Sequence, residues 1–186
     1  YKLTGSLGTD GYRELTADLN KPLGQGAALR VNLMRRDEGS WRENPANGDT
    51  PEIHRKGIGI SLALNQDSHN RFWINHYTLL TNDIPDYGIS FDAATRKPSK
   101  RFPSSTFWGI DRNFDNSDTR ITTLVNEYGF ADGSQLRTQL RFADYQRSYW
   151  AKTPNLTTAP SPVGGVGGNP TRTSDYETIT LQIAGG

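Results

Sequence analysis

The chain has three imidazoles, His54, His69 and His76, and none falls in a metal-ligand spacing such as HExxH. There is no cysteine, so disulfides, thiolate metal sites and a cysteine nucleophile are excluded. Asp111-Arg112-Asn113-Phe114-Asp115 imitates the start of a calcium loop. Position six is Asn116, where the sharp turn needs Gly, and position twelve is Thr122, where a bidentate Glu belongs. Gly164-Gly165-Val166-Gly167-Gly168 lacks the Lys-Ser/Thr and the strand–helix setting of a phosphate loop, and reads as a flexible connection. Ser, His and Asp show no triad-like grouping. No catalytic residue, metal site or cofactor is expected, and the chain does not read as an enzyme. The densest cationic stretch, Arg96-Lys97-Pro98-Ser99-Lys100-Arg101-Phe102, suits either a solvated face or an anionic partner.

Composition narrows the setting for those residues. With 186 residues the chain fits one domain or a piece of a larger one. Twenty-one Lys+Arg balance 20 Asp+Glu, which argues against nucleic acid, whose binders gather a basic excess on one face. Hydrophobic residues make up only 33%, yet four Trp, eight Tyr and seven Phe do not fit a disordered chain. No apolar run approaches the roughly 18 residues of a membrane helix. Starting at Tyr1 without Met or signal peptide, and ending at Gly185-Gly186, the chain reads as a fragment.

Period-two alternation marks the elements. In 135–142, Leu136, Thr138, Leu140 and Phe142 share one face and Gln135, Arg137, Gln139 and Arg141 the other. The pattern recurs in 14–20, 28–36, 57–64 and 177–183, more weakly in 2–7, and with ambiguous facing in 71–82 and 119–130. About eight strands result, with no convincing helix.

The connections alternate in length. Gly, Asn and Asp punctuate the short links 23–26, 65–70 and 131–134, as hairpin turns require. Between them lie long, polar segments at 37–56, 83–118 and 152–174; only 8–11 is short where a long loop is due. Tight turns at one end and long loops at the other, on strands apolar on one side and polar on the other, describe a transmembrane antiparallel β-barrel. A row such as Arg137, Gln139 and Arg141 costs little facing a wet lumen. Tyr12, Phe72, Trp73, Tyr128, Phe130, Tyr145, Tyr149 and Trp150 lie near strand ends, compatible with interfacial girdles or with sheet-edge packing.

The run 12–23 (YRELTADLNKPL) followed by 27–34 (AALRVNLM) resembles the early barrel strands of TonB-dependent outer-membrane receptors. The stretch 57–64 (GIGISLAL) fits the strand after their second extracellular loop. Asn82-Asp83-Ile84-Pro85-Asp86-Tyr87-Gly88 looks like the loop entry of the siderophore-receptor branch, especially the catecholate receptors. The resemblance covers most of 1–150. It implies that residues 1–186 are part of a 22-stranded barrel domain, about its first eight strands, with the plug and remaining strands absent. It implies import of a ferric siderophore, catecholate type favoured, across the outer membrane of a Gram-negative bacterium, energised through the TonB complex that contacts the absent plug region. A full-length member is expected to be a monomer in contact with outer-membrane lipid and lipopolysaccharide.

Ferric catecholates are bulky, flat in parts and anionic, and Arg or Lys beside aromatic faces suits them. Trp41, Arg42, Tyr87, Arg96, Lys97, Lys100, Arg101, Phe102, Trp108, Tyr149 and Trp150, with Arg147, are therefore the candidate contacts. For the basic run the alternative partner is lipopolysaccharide phosphate. Three other readings stay open: the same fold with cobalamin, haem or oligosaccharide cargo; a small, complete eight-stranded barrel acting as an adhesin or structural protein; and a soluble carbohydrate-binding sandwich.

Overall fold

The computed structural model describes residues 1–110, 112–155, 159–160 and 172–186. Asp111 of the calcium-like run and the Gly164-to-Gly168 run lie outside the described residues. The elements are β1 (Lys2–Leu7), β2 (Arg13–Gly24), β3 (Ala27–Glu38), β4 (Ile53–Leu64), β5 (Asn70–Asp83), the short β6 (Phe91–Asp92) and β7 (Lys97–Pro98), β8 (Phe114–Gly129), β9 (Gln135–Trp150) and β10 (Arg172–Gly185). Among the described residues there is no helix. Eight strands form one antiparallel sheet in the order β1-β2-β3-β4-β5-β8-β9-β10, and β6 and β7 form a separate small hairpin. The sheet is open, because β1 and β10 are its two edges and do not pair with each other. This corrects the small-barrel alternative: a complete eight-stranded barrel would join its first and last strands.

Register assigns the two faces, since directly opposed residues point the same way. Leu33 faces Ala17 and Ile58 across β2, β3 and β4. The line then continues through Thr78, Arg120, Asp144 and Glu177. One row toward the short turns runs Leu19, Val31, Ile60, His76, Thr122, Phe142, Ile179, and the next runs Leu29, Leu62, Ile74, Leu124, Leu140, Leu181. On this Leu33 face the apolar residues form a band that slants. It reaches up to Leu15 on β2 and down to Ile183 on β10. The single imidazole in the band is satisfied locally, with Thr122 Oγ1 and Thr78 Oγ1 each 2.9 Å from a ring nitrogen of His76. The opposite, Asn32 face carries Asp18, Arg30, Ser61, Asn75, Arg141 and Thr180, tied by pairs such as Arg30 Nη2 to Asp18 Oδ2 at 2.7 Å and Ser61 Oγ to Asn75 Oδ1 at 2.6 Å.

The turn end is held by backbone shape. Gly24, Gln25 and Gly26 all have positive φ, and a Cβ on Gly26 would meet the Gln66 backbone nitrogen at 2.9 Å. That nitrogen donates to the Gly26 carbonyl at 2.8 Å, so the β2–β3 and β4–β5 turns touch. Glycine is required there for both reasons.

Strands run further toward the loop end than alternation alone suggests. β8 begins at Phe114 and β9 continues to Trp150, because the ladder persists through Ser117 opposite Arg147 and Asp115 opposite Tyr149. Above the apolar band both faces are polar, so the period-two contrast disappears while the backbone bonds do not. The 83–118 connection, which reads in sequence as one long loop, contains the β6–β7 hairpin.

Candidate functional site

Beyond the strand ends the long connections build a small core of their own. Phe107, Trp108, Ile110 and Ala151 are buried there. Residues 43 and 106 form a parallel bridge, with Glu43 N donating to Ser105 O and Phe107 N to Glu43 O, both at 2.9 Å. Asn44, fully buried, donates to the Gly109 carbonyl at 2.7 Å and accepts from Ala46 N at 2.9 Å. Gly109 admits no side chain, since a Cβ would fall 1.9 Å from the Phe107 ring.

Arg42 lies inside this layer, 6% exposed. Its guanidinium donates to Asp86 Oδ1 and Oδ2 at 2.7 and 2.5 Å, and to the Gly88 and Thr106 carbonyls at 2.6 and 2.5 Å. A buried charge needs such pairing to be tolerated. Its Nη1 and Nη2 are occupied by protein while its buried Nε has no partner, so Arg42 fixes three segments rather than facing an open surface. Trp108 is buried as well, edge-on to Phe102 with ring centroids 4.9 Å apart. Trp41 and Tyr87, the neighbours of Arg42 and Asp86, are exposed.

The β6–β7 hairpin presents the basic run. Asp92 Oδ1 accepts from Ala94 N and Thr95 N, and Arg96 closes the turn in a left-handed conformation, its N–H donating to Asp92 O at 2.8 Å. Arg96, Lys97, Lys100 and Arg101 are all exposed. No ion pair among the described residues involves any of the four, whereas Arg36, Arg42, Arg55 and Arg147 each hold a carboxylate. Arg101 lies over the Phe102 ring, 5.9 Å from its centroid.

Tyr149 and Trp150 end β9. Arg147 sits 4.6 Å over the Tyr149 ring and donates to Asp115 Oδ1 and Oδ2 at 2.8 and 2.6 Å. The Asp115 hydrogen bond pushes the Arg147 pKa above its ordinary value, and the nearby Tyr87 and Tyr149 hydroxyls push the same way. Tyr87, Arg147 and Tyr149 are thus brought to one place at the loop-side rim.

Sequence reasoning missed the carboxylates of that rim. Glu38, Glu52, Asp83, Asp86 and Asp115 line a cavity of about 370 Å³, and each has a basic partner: Arg36, His54, Arg55, Arg42 and Arg147. The signal was present in Arg35-Arg36-Asp37-Glu38. In a strand, residues two apart share a face, which gives Arg35–Asp37 on one side and Arg36–Glu38 on the other. His54 lies above the apolar band, its Nδ1 2.8 Å from Asp37 Oδ1 and its Nε2 3.0 Å from Glu52 Oε2. Those two carboxylates, Asp37 first, hold its pKa above the ordinary imidazole value against a smaller opposing effect of burial.

No protein-family model matches the chain. It is 30% identical over 154 residues to the probable TonB-dependent siderophore receptor PiuA of Acinetobacter baumannii, covering 79% of this chain and 20% of that protein. Its homologues are TonB-dependent siderophore receptors. The catecholate siderophore receptor Fiu of Escherichia coli K12 is 26% identical over 157 residues, 78% of this chain and 20% of Fiu. The crystal structure of PiuA superposes with a TM-score of 0.67 at 27% identity over 81% of this chain and 21% of that one. The closed form of Fiu gives 0.69 at 22% identity, over 97% and 26%, a likeness of fold. The chain spans about a fifth of the length of the curated relatives it matches.

Proposed function

We propose that this chain is part of the wall of a 22-stranded outer-membrane barrel that imports a ferric siderophore, catecholate type favoured, in a Gram-negative bacterium, with energy delivered through TonB. The observation that carries the reading is the slanting apolar band on one face of the sheet, backed by a face that carries the row Asn20, Arg30, Ser61, Asn75, Thr123, Arg141 and Thr180. Strands tilted by roughly 35–45° cross a bilayer in this way, so the band drops from strand to strand as it follows the membrane plane. Exposed Tyr128 and Phe130, packed edge-on with centroids 4.9 Å apart, sit at its turn-side border, as an aromatic girdle would. Likeness to siderophore receptors supports that class of cargo. The plug and the other strands belong, in this reading, to further parts of the polypeptide.

Within the loop layer the ligand surface consists of the exposed cations Arg96, Lys97, Lys100 and Arg101, with Phe102, Trp41, Tyr87, Tyr149, Trp150 and Arg147 at the rim. Arg42 and Trp108 hold that layer in place from beneath. The test is equilibrium binding of a ferric tris-catecholate to the purified full-length protein, beside a ferric hydroxamate, haem, cobalamin and an oligosaccharide. Preferential catecholate binding, and uptake abolished in cells lacking TonB, support the reading. Preference for another cargo overturns the catecholate assignment, and uptake without TonB overturns the energy coupling.

A further inference from the structure

The Leu33 face carries a second group of cations, away from the loop layer and directly above the apolar band on β2–β4. Arg35 stands opposite Lys56 on β4 and opposite Leu15 on β2, and Arg13 stands opposite Asp37 one row higher. The side chains of Arg13 and Arg35 are 71% and 72% exposed, and Lys56 is exposed. One carboxylate serves this group. Asp37 Oδ2 lies 3.0 Å from Arg35 Nε and 3.7 Å from Arg13 Nε, while its Oδ1 is occupied by His54 at 2.8 Å. Lys56 enters no ion pair among the described residues. Like charges directly opposed across two strands destabilise the pair, so Arg35 and Lys56 gain from an anion placed between them. A groove of about 260 Å³ lies there, lined by Arg35, His54, Arg55, Lys56 and Leu80 and by Asp37, whose carboxylate is already held by Arg35 and His54.

What lies one row below decides the kind of anion. Ala17, Leu33 and Ile58 continue the same face into the apolar band, with Leu33 42% exposed. A charged headgroup at Arg35 and Lys56 therefore has a surface for hydrocarbon beneath it. Across the sheet at the same level, β8–β10 present Asp118, Asp144, Asp175 and Glu177 around Arg120, which repel an anion. Neither feature belongs to the β6–β7 hairpin, whose cations stand in the loop layer.

We propose that Arg35 and Lys56, assisted by Arg13, bind the phosphate headgroup of an anionic lipid whose acyl chains lie along Ala17, Leu33 and Ile58. The site rests on the reading that the Leu33 face meets lipid. It places headgroup phosphate on the barrel wall of β2–β4, while the hairpin cations remain available to cargo.

The test uses the full-length protein in dodecyl maltoside, with dioleoyl phosphatidic acid as the probe, dioleoyl phosphatidylcholine as the neutral comparison and inorganic phosphate as competitor. Lipid retention is read by native mass spectrometry. R35Q/K56Q is expected to lower phosphatidic acid retention by roughly tenfold or more, in line with two basic residues at an anionic membrane surface, and to leave phosphatidylcholine unchanged. R35K/K56R keeps the charges and is expected to retain the lipid. Unchanged phosphatidic acid retention in R35Q/K56Q overturns the site, and full competition by inorganic phosphate assigns it to a free anion instead of a lipid. Leu33→Trp, reconstituted with lipids brominated in their chains, separates the two claims. Additional quenching over wild type with no effect of R35Q/K56Q removes the phosphate site and keeps the membrane-facing band. No additional quenching removes the band reading and the lipid site with it.

Discussion

Arg42 and Asp86, 44 positions apart, meet in a two-pronged ion pair at 2.7 and 2.5 Å inside the loop layer. The same guanidinium reaches the Gly88 and Thr106 carbonyls, so a single side chain joins the 39–52 connection to both ends of the 83–114 connection. Removing the arginine leaves the exposed Asp86 without its counterpart and the buried Thr106 carbonyl without its donor, the latter at about 1–3 kcal/mol. Arg42→Ala in the full-length protein is expected to raise amide hydrogen exchange at Gly88 and at 105–109 and to leave exchange in the sheet unchanged. Protection that stays at wild-type level in those loops contradicts the clamp.

Gly109 offers an independent check on the same layer. A Cβ there would sit 1.9 Å from the ring of Phe107, which is 2% exposed and closely surrounded. Gly109→Ala is expected to destabilise the loop core by about 1–3 kcal/mol, the usual cost of overpacking. Phe107→Leu in the same protein makes room and should recover part of the loss. Protease sensitivity of the loop segment reads both variants; equal sensitivity of wild type and Gly109→Ala would mean the ring moves aside freely.

Elements and faces were largely legible in the sequence, because a half-exposed sheet repeats with period two and the turn residues interrupt it where hairpins need them. Leu29, Val31 and Leu33 against Arg30, Asn32 and Met34 mark β3 and its facing by alternation alone. The alternation weakened at 71–82 and 119–130 for a physical reason. There the slanting band crosses the strand, so the Leu33 face carries Leu124 and Thr122 and then Arg120, while the Asn32 face carries Ile121 and Val125. The loop layer was less legible. Exposed Arg96 and buried Arg42 are the same residue type, and only the distant Asp86 distinguishes them. No local pattern announces a partner 44 residues away. Arg35-Arg36-Asp37-Glu38 carries its ion pairs in its spacing, but the apolar alternation that marks β3 stops at Arg36, short of the two carboxylates.

His54 gives the chain a pH-dependent contact. Both ring nitrogens face carboxylates, at 2.8 Å from Asp37 and 3.0 Å from Glu52, and only the imidazolium donates to both. Around it stand Arg13 and Arg35 on β2 and β3, Lys56 and Arg55 on β4, and Asp83 on β5, whose Oδ1 accepts from the His54 backbone N–H at 3.1 Å. Because the folded pKa lies above the ordinary 6.5, the contribution is complete below pH 6.5 and fades as pH rises through the folded value. Hydrogen exchange in 49–53 is expected to increase between pH 6 and pH 8.5, after correction for the intrinsic rate, and His54→Gln should remove that pH dependence. A wild-type profile parallel to that of the variant defeats the assignment.

Neutralising the hairpin cations tests the cargo surface. Since Arg96, Lys97, Lys100 and Arg101 hold no carboxylate, replacing all four with Gln or Ser breaks no ion pair within the described residues. Fold stability should therefore stay within about 0.5 kcal/mol, as surface changes usually do. Ferric tris-catecholate affinity of the full-length protein is expected to fall by roughly tenfold or more, since charge-assisted contacts contribute about 1.5–3 kcal/mol each, and the loss should shrink at high salt. Unchanged affinity at low salt would move the ligand surface to the Tyr87, Arg147 and Tyr149 rim.

The open sheet makes a last prediction about residues 1–186 expressed alone. β1 and β10 each present an unpaired edge, and β10 is exposed along its whole length. In hydrocarbon no water is available for those N–H and C=O groups, and each unsatisfied group costs several kcal/mol. Fourteen residues of β10 leave about seven such groups of each kind pointing outward, far more than the band of leucines and isoleucines can offset. The isolated piece is therefore expected neither to insert into lipid vesicles nor to show heat-modifiable migration on a gel, and to associate through its edges instead. Stable, heat-modifiable insertion of a monomeric 1–186 would mean that the edges find each other after all, and would restore the small closed barrel that the strand order argues against.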